Sequence, residues 1–189
     1  WGYDAVSKIF REIENWQGAP DPRHRGTGGP VFVQPSPNPG PAAMAMLGAA
    51  KEVGIPTFES PNGEMMESEG GCAVTDILVR NGRRHSIFRA YTYPFLDRPN
   101  LTLLTGTQVT RILVERGRAV GVEALRDGQM LQFKADREVV LSLGAIQTPA
   151  LLMRSGIGDE NELRPLGIPM VQHLPGVGQN LQDHVSFGC

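Results

Sequence analysis

The sequence predicts a mixed α/β (α+β) fold, on three observations. Near the start, apolar residues recur at helical spacing in "YDAVSKIFREIENW". Between Leu101 and Ala135, β-rich runs are joined by short turn sequences, which predicts an antiparallel β-meander. After the meander, the apolar run "REVVLSLG" leads through Gly144 into a helical segment. Helices, a meander and a buried strand are therefore expected in one chain.

Composition narrows the class of protein before any motif is considered. The 189 residues are 40% hydrophobic and 20% charged, which suits one large or two small globular domains. A net charge of −2 gives no basic excess for nucleic acid. Cys72 and Cys189 are too few for a disulfide framework or a cysteine-based zinc site, and they fit a reducing compartment. The sequence has neither a membrane-length apolar run nor a signal-peptide pattern, so membrane association is not indicated and a cytoplasmic location is expected.

The first half of the chain predicts two helices and short strands. The first helix has Asp4 as its N-cap and a buried stripe made of Val6, Ile9, Phe10 and Ile13. "PVFVQP" follows a Gly/Pro-rich loop and predicts an edge strand. An Ala/Met-rich helix comes next and ends with Gly54 as its C′ residue.

The residues after that helix predict a loop, then a strand from Cys72 to Val79 and a turn at Asn81–Gly82. A helix could begin near Ser86.

The second half predicts strands and then short helices. "NLTLLTG", "QVTRILVERG", "RAVGVEAL" and "MLQFKA" are the runs of the meander. "REVVLSLG" is apolar throughout, as a buried central strand should be. Thr148 and Pro149 predict an N-cap followed by proline at the first helical position. Two short helices end at Gly156 and Gly167, and the rest, down to Asp183–His184, is mostly extended.

The corner at Gly144 is a candidate ligand site. A glycine between a strand and a helix lets a ligand approach the backbone, where free N–H groups and the helix dipole favour a polar or negative group. A tight strand-to-helix turn without a ligand explains the same residues equally well. Both interpretations remain open on this feature alone.

Two glycine pairs resemble parts of a dinucleotide fingerprint but lack its third glycine. Asn161 and Leu181 stand where that glycine would be, so Gly156-x-Gly158 and Gly176-x-Gly178 are predicted to be turns. No P-loop, nucleophile-elbow or zinc-helix motif is present.

The histidines do not assemble a catalytic set. His24 and His85 lie in basic segments and are expected at the surface. His173 has no evident partner, and Asp183 and His184 would point to opposite faces of a strand. No Ser/His/Asp set can be assigned.

One arginine cluster has two explanations. Arg80, Arg83 and Arg84 could hold a phosphate or carboxylate, although a solvated turn is the simpler explanation.

Several segments together resemble the glucose–methanol–choline (GMC) oxidoreductases, which are FAD-dependent alcohol oxidases and dehydrogenases, and most closely their choline-dehydrogenase-like branch. "GAIQTPALLMRSGIG" is similar to the family's second signature. "RGTGGPVFV" is similar to its HGxGGP-type strand, with Arg25 where histidine is often found. The other segments follow in the family's order: "WGYDAVSKIF", "NGRRHSIFRAY", "RPNLTLLTGTQVTRILVERGRAVGVEA" and "LPGVGQNLQDH".

The resemblance covers essentially the whole chain and implies a middle portion of such an enzyme. The family's GxGxxG segment is expected upstream and its catalytic histidine downstream, so no catalytic residue is assigned here. The implied divisions are an FAD-domain or linker helix and loop (1–27), part of an antiparallel-sheet substrate domain (28–95), part of a Rossmann-like FAD-binding domain with the meander (96–180) and a crossover (181–189).

The resemblance also implies a cofactor site and an activity. Val109 would contact the adenine of FAD through its backbone, and Ser142, Gly144 and Ala145 would lie along the adenosine. The roles of Asn180 to His184 stay unassigned. The expected reaction of the intact protein is oxidation of a small-molecule alcohol to an aldehyde or ketone, with a hydride passing to the flavin. The alternative is a non-catalytic module that binds adenine nucleotide or is merely structural.

Overall fold

The computed structural model describes residues 1–184, so Cys189 and the last five residues of the expected crossover lie outside the described residues. Two compact units make up the chain, Trp1–Leu103 and Leu104 onward. Within the described residues, no helix is both long enough and apolar enough to cross a membrane.

The first unit opens with α1 (Tyr3–Ile13), which runs directly into β1 (Glu14–Trp16). Strand β2 (Val31–Val33) pairs with β1 in parallel, and the two strands bury Trp16, Val31 and Val33 around Ala90. Helix α2 (Pro41–Glu52) ends as expected, with Val53 as the C-cap and Gly54 at a φ of +79°.

Short elements complete this unit. A 3₁₀ turn covers Glu64–Glu67, and β3 (Val79–Arg80) and β4 (Arg83–Arg84) form a hairpin. Phe88–Thr92 is a π-helical turn that continues into the 3₁₀ turn Tyr93–Phe95. The hairpin confirms the turn expected at Asn81–Gly82.

Three predictions for the first unit were wrong. Gly2 rather than Asp4 is the N-cap of α1, and it makes no side-chain cap hydrogen bond. The apolar stripe exists, but Ile9 and Phe10 are exposed because no described element covers them. The run from Cys72 to Val79 is a strand only at its end, since its other pairings are single bridges from Cys72 to Thr57 and from Ile77 to Gln34.

The second unit is built on the expected antiparallel meander. Strands β5 (Thr107–Glu115), β6 (Arg118–Arg126) and β7 (Gln129–Lys134) pair in that order, with two-residue turns between them. Helix α3 (Gly144–Arg154) packs against β5 and leads into β8 (Ile157–Gly158).

The remaining elements of this unit follow β8. Helix α4 (Glu160–Leu163) is capped by Asp159 and continues into a 3₁₀ turn, Arg164–Leu166. The unit closes with β9 (Gln172–His173), which pairs with β8 in parallel.

Three predictions for the second unit were also wrong. "NLTLLTG" and "REVVLSLG" form no strand in the described chain, and Val140 in the latter is 74% exposed. A strand needs a neighbour for its backbone hydrogen bonds, and the three-stranded sheet does not extend to either run. Helix α3 starts at Gly144, so Pro149 lies inside it. Thr148 does not cap it in the expected way; its Oγ1 accepts the N–H of Leu143 instead.

Candidate functional site

The corner between Ser142 and Ala145 is open to a ligand. Gly144 has a φ of +84°, a left-handed conformation that favours glycine, and a Cβ built there would meet no atom within 4 Å. Ser142, Gly144 and Ala145 are all exposed. No side chain caps the start of α3, so the N–H groups of its first turn are available to a polar group.

A groove of about 620 Å³ begins at this corner. Ala145, Thr148, Pro149 and Leu152 on α3 form one wall, and the opposite wall is residues 177–182. Gly178 brings that segment against the helix, because a Cβ at Gly178 would lie 2.6 Å from Cε of Met153. The structure therefore joins the "GAIQTP" and "VGQNL" segments, which are far apart in the sequence.

Val109 lies on β5, which is the edge strand of the meander within the described residues. The N–H of Ile112 turns away from β6 and donates to Oγ of Ser155 at 2.9 Å. The pairing register shifts between Val109 and Arg111, so one extra residue is accommodated there as a bulge. Because the bulge takes up one residue, the N–H and C=O of Val109 point in the same direction as those of Ile112. They therefore face away from β6, towards the open edge of the sheet.

The four predicted cofactor residues do not form one cavity. Among them, Ala145 alone lines the groove. A second, more apolar cavity of about 340 Å³ lies where β5 and β6 meet α3 and β9, and none of the four lines it. Ser142, Gly144 and Ala145 therefore form one exposed corner, and Val109 presents a separate strand edge.

The histidines differ from the sequence expectation in two cases. The side chain of His24 is only 7% exposed, and its Nδ1 lies 2.8 Å from Oδ2 of Asp21. His85 is half-buried, with its ring centroid 6.0 Å from that of Phe32. Both were expected at the surface, and their partners could not be read from the neighbouring sequence.

The remaining histidines and the arginine cluster have structural roles or none. Nδ1 of His173 accepts the N–H of Glu160 at 3.1 Å, which corrects the expectation that His173 has no partner. Asp183 accepts the backbone N–H of His184 rather than its imidazole. The three arginines around the β3–β4 turn are exposed, as a solvated turn predicts. Within residues 1–184, no group of three or more metal-ligating side chains is positioned for a metal ion.

The burial of Asp21 next to His24 has an electrostatic consequence. Burial raises the pKa of the Asp21 carboxyl, but hydrogen bonds from His24 outweigh this effect. The pKa of Asp21 is therefore held below its ordinary value.

Sequence reasoning missed the most deeply buried charged side chain of the first unit, Arg25. Its guanidinium contacts Glu14 and Asp76 and lies 3.5 Å from the ring centroid of Trp16. The one available signal was the arginine in a motif position where histidine is common. Nothing in the sequence indicated its acidic partners.

The structure is that of a mixed α/β protein with a β-meander. The start of helix α3, at the Gly144 corner and the adjoining groove, is accessible to a ligand. The chain belongs to the GMC oxidoreductase family, whose profile matches residues 1–186. The family and the fold class expected from the sequence are both confirmed.

Curated relatives match almost the whole chain. It is 44% identical over 185 residues to mitochondrial choline dehydrogenase of Mus musculus, covering 98% of this chain and 30% of that protein. It is 40% identical over 187 residues to oxygen-dependent choline dehydrogenase of Sinorhizobium fredii, covering 99% of this chain and 33% of that protein. The chain thus spans about a third of the length of these relatives.

Solved structures share the fold. Pyridoxine 4-oxidase from Mesorbium loti matches with a TM-score of 0.78 at 30% identity, over 93% of this chain and 34% of that one. An FAD-dependent oxidoreductase from Chaetomium thermophilum matches with a TM-score of 0.86 at 30% identity, over 97% of this chain and 34% of that one.

Proposed function

We propose that the full-length protein carrying this chain is an FAD-dependent oxidoreductase that acts on CH–OH groups and oxidises a small-molecule alcohol to an aldehyde or ketone. Membership of the GMC family supports this, as do relatives named choline dehydrogenase and pyridoxine 4-oxidase. Bound FAD would supply the hydride acceptor, which amino-acid side chains lack. The catalytic base is proposed to lie outside these residues.

The residues of this chain would hold the adenosine half of the cofactor. The outward-facing backbone of Val109 offers hydrogen-bonding groups to an adenine edge. Ser142 lies two residues before Gly144 and Ala145 directly after it, and the open space at this glycine suits a close approach by a ribose or phosphate oxygen. The uncapped first turn of α3 favours the negative end of such a ligand.

The open corner at Gly144 carries this proposal, and two matched glycine substitutions test it. Gly144→Ala and Gly128→Ala impose the same kind of strain, since their φ angles are +84° and +77° and neither new Cβ meets another atom. Gly128 lies in the β6–β7 turn and does not line the groove that begins at the corner.

We expect the full-length protein to purify yellow and Gly144→Ala to weaken FAD binding by about tenfold or more, which corresponds to about 1.4 kcal/mol. Gly128→Ala should bind FAD as the unsubstituted protein does. FAD titration followed by flavin absorbance measures both. A colourless protein that takes up no added FAD would refute the proposal and leave a non-catalytic module. Equal effects of the two substitutions would refute the Gly144 assignment alone.

We also propose the domain division expected from the sequence, with 28–95 in the substrate domain and 96–180 in the FAD-binding domain. Residues 1–27 would be a helix and loop of the FAD domain or a linker, and residues 181–189 the crossover. Segments of the same protein outside this chain would complete both domains, which agrees with the chain's share of its relatives. A screen of the full-length enzyme against choline, aliphatic, aryl and sugar alcohols tests the substrate class.

A cytoplasmic location is part of the proposal, supported by the free thiol of Cys72. Fractionation of cells expressing the full-length protein tests it, and recovery with mitochondria would contradict it.

A further inference from the structure

Arg25 is enclosed in the first unit by two carboxylates and a hydroxyl. Its side chain is 2% exposed, that of Asp76 is 3% exposed and that of Glu14 is 16% exposed. Oγ of Ser60 is also in contact with both Arg25 and Asp76. We call Arg25, Glu14, Asp76 and Ser60 the Arg25 network. Its members come from strand β1, the glycine-rich loop, the turn before the first 3₁₀ segment and the segment before β3.

Hydrogen bonds form along two edges of the planar guanidinium group. Nε and Nη2 of Arg25 donate to the two oxygens of Glu14 at 3.1 and 2.6 Å. Nη1 donates to Oδ2 of Asp76 at 2.8 Å and to Oγ of Ser60 at 2.7 Å. Asp76 accepts two more hydrogen bonds at the same oxygen, from Ser60 at 2.7 Å and from Asn62 at 3.0 Å. A histidine, with two ring nitrogens, could not make this set of contacts.

The charges of the network do not cancel, because one cation faces two carboxylates. Burial lowers the pKa of Arg25, but its hydrogen bonds to Glu14 and Asp76 and their negative charges outweigh burial and raise that pKa above its ordinary value. Arg25 therefore stays charged. Without Arg25, the carboxylates of the buried Asp76 and the partly buried Glu14 would remain with no cation in contact, which is an unfavourable arrangement.

We propose that the Arg25 network is an electrostatic interlock of the first unit, in which the buried charge of Arg25, bound by Glu14, Asp76 and Ser60, holds four separate segments of the chain together. This inference does not depend on the proposed oxidoreductase activity. It assigns a role to the residue in which this chain departs from the HGxGGP-type pattern.

Other charged groups near Arg25 touch the adjoining cavities rather than the guanidinium. The titratable side chains outside the network that line the three cavities next to Arg25 are Tyr3, Lys8, Arg11, Glu12, Asp21, His24, Glu59 and Glu64. None of them makes a hydrogen bond or ion pair with the Arg25 side chain among the described residues.

Hydrogen–deuterium exchange of the full-length protein tests the interlock. In Arg25→Met, we expect peptides covering β1, β2 and Ser60–Asn62 to open about a hundredfold more often near neutral pH, since one partner of a buried ion pair is removed. Arg23→Met is the matched control, because the Arg23 side chain is 73% exposed and pairs with Glu67 at the surface. Arg25→Lys should recover part of the protection.

Arg25→Lys separates charge from packing, because lysine and methionine are unbranched side chains of similar length and only lysine is charged. Protection in Arg25→Lys that does not exceed that in Arg25→Met would overturn the proposal and leave only lost packing.

A variant without any network charge covers the case in which Arg25→Met does not fold. Arg25→Met combined with Glu14→Gln and Asp76→Asn should restore protection at least tenfold over Arg25→Met, because no unpaired carboxylate remains. Failure of the triple variant to exceed the single one in protection or in folded yield would also overturn the proposal.

Discussion

Ser155 joins the meander to helix α3 through one buried hydroxyl. Its Oγ accepts the N–H of Ile112 at 2.9 Å and donates to the carbonyl of Leu151 at 2.7 Å. Both Ser155 and Ile112 are buried. Substitution Ser155→Ala removes the acceptor without adding bulk, so its effect reports on this one contact.

The magnitude follows from which groups lose their partner. The carbonyl of Leu151 keeps the backbone N–H of Ser155 as a donor at 3.0 Å, so it is not orphaned. The N–H of Ile112, which is a buried residue, loses its acceptor. An orphaned buried donor costs about 1–3 kcal/mol. Local opening of β5 should therefore become about 5- to 150-fold more frequent.

Hydrogen exchange of peptides within Thr107–Glu115 measures this opening in the full-length protein, where global unfolding of several domains would not be two-state. Thr105→Ala is the control, since Thr105 is exposed in the same unit and its hydroxyl makes no hydrogen bond within the described residues. An exchange rate in Ser155→Ala within about twofold of the control would refute the reasoning. Even the smallest expected cost of an orphaned donor, about 1 kcal/mol, corresponds to a change of about fivefold.

Three further predictions concern the groove, acid stability and the isolated chain. Gly178→Ala forces alanine into a left-handed backbone with a φ of +80°, so hydrogen exchange should show residues 177–182 of the full-length protein opening about 5- to 30-fold more often, which corresponds to about 1–2 kcal/mol. Met153→Ala in the same protein should relieve only the added contact between the new Cβ and Cε of Met153, and full rescue would contradict this division. The pKa of the hydrogen-bonded Asp21 is lower in the folded protein than its unfolded value near 3.8. Asp21 therefore stabilises the fold above the unfolded pKa, and this contribution is lost as the pH falls through the lower folded pKa. Asp21→Asn should remove that acid-dependent part of the unfolding curve, and an unchanged curve would argue against it. The isolated 189 residues should neither retain FAD tightly nor oxidise alcohols, and stoichiometric FAD in the purified chain would disprove this.

Local rules of backbone chemistry predicted much of the fold. Gly54, Gly156 and Gly167 end helical segments as expected, and the meander turns follow their Gly-containing dipeptides. Each of these features depends on a few neighbouring residues, so one sequence contains the whole cause. The exposed corner at Gly144 is also a local feature of this kind, whereas the proposal that FAD binds there depends on the resemblance to the family.

Patterns that require a distant partner were less reliable. The run ending at Val140 reads as a buried strand, but burial and pairing need neighbouring strands that the described residues do not supply. The stripe at Ile9 and Phe10 is likewise apolar and uncovered. Such patterns indicate the surroundings in which a segment is most stable. The two choline dehydrogenases compared above are about three times as long as this chain, so residues outside it could supply those surroundings.

Charged side chains show the limit of sequence reasoning most clearly. "RHR" at positions 23–25 is uniformly basic, yet Arg23 is exposed while His24 and Arg25 are enclosed. What separates Arg23 from Arg25 is a carboxylate 51 residues further along, at Asp76. Burial of a cation depends on partners that compensate its desolvation, and those partners are brought together only by the fold. A charge in a glycine-rich motif is therefore best judged by asking which distant acids the fold brings to it.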